Sequence, residues 1–422
     1  MARYLPPLAA AAGGAALACL VGLNGGFLWS DFSWEALRSF QALAGGHVGQ
    51  FLSLTPLYAG SFLFRAPAVL AATAVAGSSP TVLYYSGAAF CALVAAGAAF
   101  LYYLLSPAKG RLWPAAGLFL MAGGPLTVLA LEAGHPEELL GAALLLSSLF
   151  AALKGRTGVA GLLLGAAVAN KEWAVVGIGP LLVLTASREG WRRAGLLIGT
   201  AAAACLAFLS PFLIASTALF HAAAAVGSNA GKTLKPWSLW WFFGAGNGKG
   251  GRVDPPLIAA LTHPLVVAIP LLLSGYLYLR ARRSGNALTD SQAFALLSCA
   301  LLARGALDSW GIYYYYLPLI YTICGWEIWC RPNVPPVWTL LANATAALTC
   351  SYLPLHGTPS QTALAFACAA VCGGLVLWRA ALRPGPSYPT SVRTLGREVR
   401  IRFSGSPTTT SSSILTPSSP GR

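Results

Sequence analysis

Residues 81–105 read TVLYYSGAAFCALVAAGAAFLYYLL, a run of 25 residues without one charged side chain. A helix needs about 20 mostly apolar residues to cross the hydrocarbon core of a bilayer. The whole chain has this character, because 56% of its 422 residues are hydrophobic and only 9% are charged. Soluble proteins carry about 25% charged residues, and barrels alternate with period two over ~10-residue strands. The sequence therefore predicts an all-α polytopic membrane protein.

About twelve transmembrane helices can be drawn, within a range of 11 to 13. The predicted spans are 5–29, 81–105, 112–131, 138–153, 157–170, 173–187, 193–215, 256–279, 288–304, 310–329, 334–353 and 361–380. Two of them, 157–170 and 173–187, are short for ~30 Å of hydrocarbon and could be tilted, broken or re-entrant. The long first span has no convincing cleavage site, so we interpret it as a retained helix.

Basic residues set the orientation of these spans. With the N-terminus inside, the inner loops and the C-terminal tail hold 19 of the 27 Lys and Arg residues, in agreement with the positive-inside rule. The net charge of +15 is thus a signal of topology and does not indicate a nucleic-acid partner. Residues 384–422 are basic and rich in Ser, Thr and Pro, which predicts a disordered cytoplasmic tail after a polytopic domain over 1–383.

The first outer loop, 30–80, contains a second apolar stretch at 53–77. Because Pro56, Arg65 and Pro67 interrupt this stretch, we interpret it as interfacial helices and not as a thirteenth span.

Acidic residues and histidines concentrate on the outer side. Two-thirds of the acidic residues and every histidine lie in or beside the outer loops: Asp31, Glu35, Glu132, Glu137, Glu138, Glu172, Asp254 and Asp308, with His47, His135, His221, His263 and His356. A protein that only had to sit in a bilayer would not need this asymmetry. The pattern predicts chemistry at the outer boundary between membrane and water.

Three constellations stand out within this set. Asp31 and Glu35 follow the first span, although Asp31 or Ser33 could merely cap an interfacial helix. Glu132-Ala-Gly-His-Pro-Glu-Glu138 joins two spans and could alternatively be a solvated turn with Glu137 and Glu138 in a first helical turn.

The third constellation, Asn170-Lys-Glu-Trp173, interrupts an apolar stretch. Polar side chains at membrane depth are costly and indicate function. The alternative is a snorkelling Lys171 paired with Glu172. Adjacent helical residues point in different directions, however, so we expect Lys171 to be available for a ligand.

Other motifs are absent from the sequence. The nine cysteines lie mostly inside spans without metal-ligand spacing, and Gly-Lys-Thr at 231–233 lacks the first glycine and preceding strand of a phosphate-binding loop.

The order of these motifs is similar to that of a known family. An Asp in the first loop is followed by LTPLY (54–58), by GPLTVLALEAGHPEELLGAALLL (124–146) and by AGLLLGAAVANKEW (160–173). Over about residues 1–190 this resembles the C-type-fold (GT-C) integral membrane glycosyltransferases, nearest to the polyprenyl-phosphate-mannose-dependent mannosyltransferases. The Asp-x-Asp of several branches is missing, and His135-Pro136 stands where bacterial relatives often have Gln.

The resemblance implies transfer of a sugar, with mannose as one candidate, from a polyprenyl-phosphate donor to a glycan or glycolipid hydroxyl. The protein would be a multi-pass protein of a bacterial plasma membrane with an extracytoplasmic active face, surrounded by membrane lipids. Asp31 takes the role of general base, which implies single displacement with inversion. Candidate substrate-binding residues are Glu35, Glu132, His135, Glu137, Glu138, Lys171, Glu172, Lys232, Lys235 and Arg304. No cofactor is indicated with certainty, a divalent metal remains possible, and no metal ligand is assigned.

The competing interpretation is a twelve-helix secondary transporter or permease. It predicts duplicated halves, discontinuous helices and ionisable residues near the midplane. A possible break at 170–173 favours it, whereas the lack of duplication and the carboxylates collected at one surface do not. A catalytically inactive scaffold of the same fold is a third possibility.

Overall fold

The computed structural model describes residues 4–25, 29–56, 58–106, 112–216, 233–246 and 251–385. Its α-helices, in chain order, are α1 (Leu5–Gly22), α2 (Leu37–Ala44), α3 (Val48–Ser53), α4 (Ala59–Ala76), α5 (Pro80–Leu105), α6 (Leu112–Gly123), α7 (Pro125–Ala133), α8 (Glu137–Leu153), α9 (Thr157–Asn170), α10 (Ile178–Glu189), α11 (Trp191–Ala215), α12 (Pro256–Arg283), α13 (Asp290–Leu307), α14 (Leu317–Cys330), α15 (Val337–Ala347), α16 (Leu353–His356) and α17 (Pro359–Leu382). Short 3-10 segments cover Glu172–Gly177, Leu239–Phe243 and Tyr313–Tyr316, and π-helical turns cover Phe32–Ala36 and Leu348–Tyr352. Lys232, His221 and the predicted tail beyond residue 385 lie outside the described residues.

Seven helical segments in the described part of the chain are long and apolar enough to cross a membrane. They are α1, α4, α5, the consecutive pair α6 and α7, α11, α12 and α17. The protein is therefore an all-α, membrane-embedded protein, as the composition predicts. Six of the seven coincide with predicted spans, and the other six predicted spans also fold as helices, which are shorter or less apolar.

The segment 53–77 differs from the prediction in one respect. α4 runs without a break through Arg65 and Pro67, so these residues do not interrupt it. A proline inside a helix removes one backbone hydrogen bond, and here the helix continues past that loss. By length and composition alone, α4 could cross a membrane.

The end of α1 and the start of α5 lie side by side. Tyr85 donates a hydrogen bond to the carbonyl oxygen of Leu23 at 2.9 Å, and Tyr84 donates to the carbonyl oxygen of Leu131 near the end of α7. The chain between α1 and α5, including α4, thus leaves and returns at the same end of these helices.

Small residues allow several helices to approach closely. A Cβ atom at Gly165 of α9 would lie 2.2 Å from the carbonyl oxygen of Ala201 on α11, and one at Gly161 would lie 2.5 Å from that of Leu197. Between apolar helices in a bilayer, association depends on such close van der Waals packing, because hydrocarbon tails compete with apolar side chains. This packing fixes α9 against α11.

α8 and α9 are antiparallel and define two ends of the helical assembly. At the end of α9, the Asn170 side chain donates to the carbonyl oxygen of Glu137 at the start of α8 (2.9 Å). At the start of α9, Thr157 donates to Glu189 at the end of α10 (2.8 Å). We call the region of 29–36, 134–138 and 170–173 the site end, and the region of 154–157, 187–190 and 288–290 the opposite end.

A small antiparallel sheet belongs to the second long loop. Its strands are β1 (Thr233–Leu234), β2 (Ala245–Gly246) and β3 (Arg252–Val253), in the order β1-β3-β2. Two tryptophans of this loop bond the ends of helices: the Trp237 indole donates to the Thr349 carbonyl (2.8 Å) and the Trp240 indole to the Leu307 carbonyl (2.6 Å).

Candidate active site

The turn between α7 and α8 brings two of the predicted constellations together. Gly134 ends α7 in the left-handed region, with φ at +101°, which favours glycine. A Cβ atom there would also lie 2.5 Å from the backbone nitrogen of Phe32. The Trp29 amide donates to the Glu132 carbonyl oxygen at 2.8 Å. The segment after α1 therefore packs directly on the turn that carries His135.

Six side chains form a charge cluster at the site end: Asp31, Arg65, His135, Glu137, Glu138 and Lys171. Asp31 is its only partly exposed member, and the other five are buried. The Asp31 side chain is 38% exposed, and its Oδ2 lies 3.0 Å from Nε2 of His135. Asp31 precedes a π-helical turn but caps no backbone N–H with its side chain. The alternative in which Asp31 is only a helix cap is thus wrong for this structure. The hydrogen bond from His135 is the main reason that the pKa of Asp31 lies below its ordinary value of 3.8.

His135 bridges two carboxylates. While Nε2 faces Asp31, Nδ1 lies 2.6 Å from Oε1 of Glu137. An ionised carboxylate only accepts hydrogen bonds, so both ring nitrogens must donate, and His135 is an imidazolium. Burial of the ring opposes this charge, but Glu137 and Asp31 outweigh it and raise the pKa of His135 to about 9.

Glu137 is the buried centre of the charge cluster. It has no exposed surface. Nζ of Lys171 lies 3.2 Å from its Oε1, and Nη1 of Arg65 lies 3.6 Å from its Oε2. A buried charge is tolerated only when it is paired, and here cations from α4 and from the residue after α9 supply the pairing.

Lys171 is committed to this cluster. It is buried, its Nζ lies 3.8 Å from Glu138 in addition to its contact with Glu137, and its ammonium stands 3.9 Å from the ring centroid of Tyr58. The expectation that Lys171 is available for a ligand is therefore wrong, and so is the alternative of a snorkelling pair with Glu172. The partners come from α8, which adjacency in sequence could not show.

Several buried polar atoms of the cluster lack hydrogen-bond partners. Neither oxygen of Glu138 accepts a hydrogen bond, and Oε2 of Glu137, Nη2 of Arg65 and Oδ1 of Asn170 are also unpartnered. Buried polar groups normally have hydrogen-bond partners, so this many buried polar atoms without partners in one cluster is unusual. Glu137 and Glu138 have no exposed surface, and their contact with substrate stays a prediction. They lie in the first turn of α8, where the helix dipole favours negative charge.

Aromatic rings enclose the cluster. The Tyr58 hydroxyl donates to Oε2 of Glu35 at 2.5 Å, and the Tyr314 ring lies 4.7 Å from the His135 ring, centroid to centroid. Three residues of the site were not predicted from the sequence: Tyr58, Tyr314 and Arg65. Arg65 could have been found, because it is the only charged residue of α4 and a charge within an apolar helix indicates function.

Arg304 lies on the same side of the helices. Its guanidinium stands 3.7 Å from the ring centroid of Tyr315 and 5.2 Å from that of Trp173, and its Nη1 donates to the Tyr315 carbonyl oxygen at 2.9 Å. Tyr315 is the neighbour of Tyr314, which touches His135. Arg304 is thus a cation next to the cluster.

The remaining predicted residues contribute less to the cluster. Glu35 joins it through Tyr58, Glu132 supplies a backbone carbonyl, Glu172 is exposed, and Lys235 lies 5.3 Å from the ring of Trp310.

In the described ranges, no group of three or more His, Cys, Asp and Glu side chains could hold a metal ion. No model of a known protein family matches the chain, and no curated protein matches it in sequence.

Proposed function

We propose that this protein is a glycosyltransferase that moves a sugar from a polyprenyl-phosphate donor to a hydroxyl acceptor, with Asp31 as general base. The observation that carries the proposal is the position of Asp31. It is a half-exposed carboxylate, hydrogen-bonded to an imidazolium, at the surface of an otherwise enclosed charge cluster. Mannose is the donor sugar that the sequence resemblance suggests.

The proposed step is a single displacement. Asp31 accepts the proton of the acceptor hydroxyl while that oxygen bonds to the anomeric carbon of the sugar. The bond between this carbon and the phosphate oxygen breaks, and polyprenyl phosphate leaves, which inverts the anomeric configuration. Arg304 is the best placed cation for the charge that develops on the phosphate, because Lys171 is already paired.

An apolar cavity offers a place for the prenyl chain. It has a volume of about 380 Å³, lies between α13, α14, α15 and α17, and is lined by Leu302, Tyr316, Ile320, Leu341, Phe366 and Ala370 among others. Tyr316 is two residues from Tyr314, which contacts His135. This position supports a prenyl site here in place of the one predicted along 53–77.

The membrane arrangement is part of the proposal. We place about twelve helices across the bilayer, with α4 at the interface and the site end on the extracytoplasmic side of a bacterial plasma membrane. The hydrogen bond between Tyr85 and Leu23 supports this placement of α4, because the chain from α1 to α5 makes no net crossing.

Transport is the second candidate function. It is favoured by the buried charges of Arg65, Glu137 and Lys171 among helices and by the change from α9 to a 3-10 segment after Asn170. It would require substrate to reach Glu137 and Lys171 inside the cluster, whereas the proposed transfer does not involve contact with these two residues.

Asp31→Asn tests the transferase proposal. We expect the purified variant in nanodiscs to transfer sugar about 10²- to 10⁴-fold more slowly than wild type, since a general base is lost. The assay measures movement of radiolabelled mannose from a short-chain polyprenyl phosphate to a membrane glycolipid. Glu189→Gln, a carboxylate at the opposite end bonded by Thr157, is the control and should retain activity. Wild-type rates in the Asp31 variant would refute the role.

A further inference from the structure

Glu137 and Asp31 are separated by a single imidazole. Oε1 of Glu137 lies 2.6 Å from Nδ1 of His135, and Oδ2 of Asp31 lies 3.0 Å from Nε2. Glu137 is fully enclosed, whereas Asp31 is half-exposed. We propose that Glu137 is a positioning residue that orients Asp31 through His135, without touching substrate. This role rests on the proposed transfer reaction.

The geometry of the bridge explains how Glu137 would act. Two hydrogen bonds at opposite corners of the ring fix the orientation of His135, and therefore the direction from which it donates to Asp31. A neutral imidazole donates from only one nitrogen. If Glu137 lost its charge, His135 would lose its second proton more readily, and Asp31 would face a neutral ring.

Two cations keep Glu137 charged. Lys171 lies 3.2 Å from Oε1 of Glu137 and Arg65 lies 3.6 Å from Oε2, and neither cation pairs with Asp31. The titratable and charged groups that face the bridge from all neighbouring elements are Asp31, Glu35 with Tyr58, Arg65, Glu138, Lys171 and Tyr314. Of these groups, Glu138 repels the negative charge of Glu137, and Lys171 repels the positive charge of His135.

A double-mutant cycle tests the proposal. Wild type, H135Q, E137Q and H135Q/E137Q are compared by the pH profile of kcat/KM, which reports ionisations of the free enzyme. E137Q should move the alkaline limb, where the rate falls with rising pH, from about 9 towards 6.5, because His135 then loses its second proton at a lower pH and no longer orients Asp31. In the H135Q background the same change should have no further effect on this limb.

Additive effects of the two changes, or an alkaline limb that E137Q leaves in place, would overturn the positioning role. Because E137Q leaves Lys171 and Arg65 without their carboxylate, it could fail to fold. H135Q then carries the test alone, since it keeps Glu137 paired with both cations and should lower the rate and remove the alkaline limb. A wild-type alkaline limb in H135Q would refute the proposal.

E327Q is the matched control for a buried carboxylate. Glu327 is also buried, and it accepts hydrogen bonds from the Trp338 amide and from the amide and hydroxyl of Thr339. E327Q should reduce thermal stability but leave the pH profile as in wild type.

Histidine-selective 15N NMR separates the proposal from the proposed function. His135 should keep both ring protons up to about pH 9 in wild type and lose one at a pH nearer 6.5 in E137Q. If this change is seen but wild type transfers no sugar, the transferase proposal fails and the role of Glu137 in transfer fails with it. If wild type transfers sugar and E137Q alters neither the titration of His135 nor the alkaline limb, only the positioning role fails.

Discussion

Both ends of the helical assembly hold a buried carboxylate and a cation, but the two clusters are satisfied to different degrees. At the opposite end, Oδ1 of Asp290 accepts from Arg188 at 2.7 Å and Oδ2 accepts from the Trp329 indole at 2.7 Å. Arg188 also donates twice to the Leu288 carbonyl oxygen, at 2.8 and 2.6 Å. At the site end, neither oxygen of Glu138 accepts a hydrogen bond, and its only ion-pair contact in the described residues is Lys171 at 3.8 Å.

The difference separates a structural ion pair from a cluster suited to chemistry. A fully bonded pair such as Arg188 and Asp290 rigidifies the packing of α10 against α13. Unpartnered buried polar atoms reduce stability, and proteins keep such local conflicts mostly at functional sites. The contrast predicts that substitutions at the opposite end change stability alone, whereas substitutions at the site end also change activity.

Removal of one buried cation at each end is the most disruptive comparison. Lys171→Met leaves Glu137 and Glu138 short of positive charge, and Arg188→Met does the same to Asp290. Breaking a buried pair by removing one partner costs about 3–5 kcal/mol, so both variants should unfold more readily in detergent. If Lys171→Met had the same melting temperature as wild type, the buried pairing of Lys171 would be refuted.

The charge of His135 should appear in the dependence of stability on pH. Its pKa in the folded protein is about 9, above the ordinary 6.5. The contribution of the His135 charge to the free energy of unfolding is therefore complete below pH 6.5 and is lost as pH rises through about 9. A shift of this size corresponds to a contribution on the order of 3 kcal/mol. The melting temperature should therefore fall as pH rises towards 9, and His135→Gln should abolish this part of the decline. An equal decline in both proteins would contradict the imidazolium assignment.

Glycine substitutions should give the smallest effects. Gly134 and Gly155 both have φ in the left-handed region, at +101° and +67°, but only at Gly134 would a Cβ meet another segment, at 2.5 Å from Phe32. Backbone strain of this kind costs about 1–3 kcal/mol. Gly134→Ala should lose more stability than Gly155→Ala and should also reduce transfer, since the segment with Asp31 must move. If Gly134→Ala and Gly155→Ala had equal effects on stability and on transfer, the packing of Phe32 on the turn would be contradicted.

The sequence predicted the helices well, because long apolar runs with few charges have one physical outcome in a bilayer. The ends of α5 and α8, for example, fall within one residue of the predicted spans. The prediction that Asp31, His135 and Lys171 share one end rested on the distribution of charge, and the contacts of the structure join them.

The pairing within the cluster could not be predicted. Lys171 and Glu137 are 34 positions apart, and their contact depends on the antiparallel packing of α8 and α9, which hydropathy does not show. The same holds for Arg65, which reaches Glu137 from α4, a continuous helix where the sequence predicts an interrupted segment. Local patterns determine helices, but ion pairs between helices depend on how the helices pack.

One crossed measurement tests the central claim most directly. Asp31→Asn and Asp290→Asn are each assayed for sugar transfer and for thermal stability, in the same nanodiscs. The account predicts that the Asp31 variant keeps the wild-type melting temperature within a few degrees but loses transfer, whereas the Asp290 variant melts earlier and, while folded, still transfers sugar. Full transfer by Asp31→Asn would contradict the assignment of chemistry to the site end. So would a folded Asp290→Asn variant that loses as much transfer as Asp31→Asn.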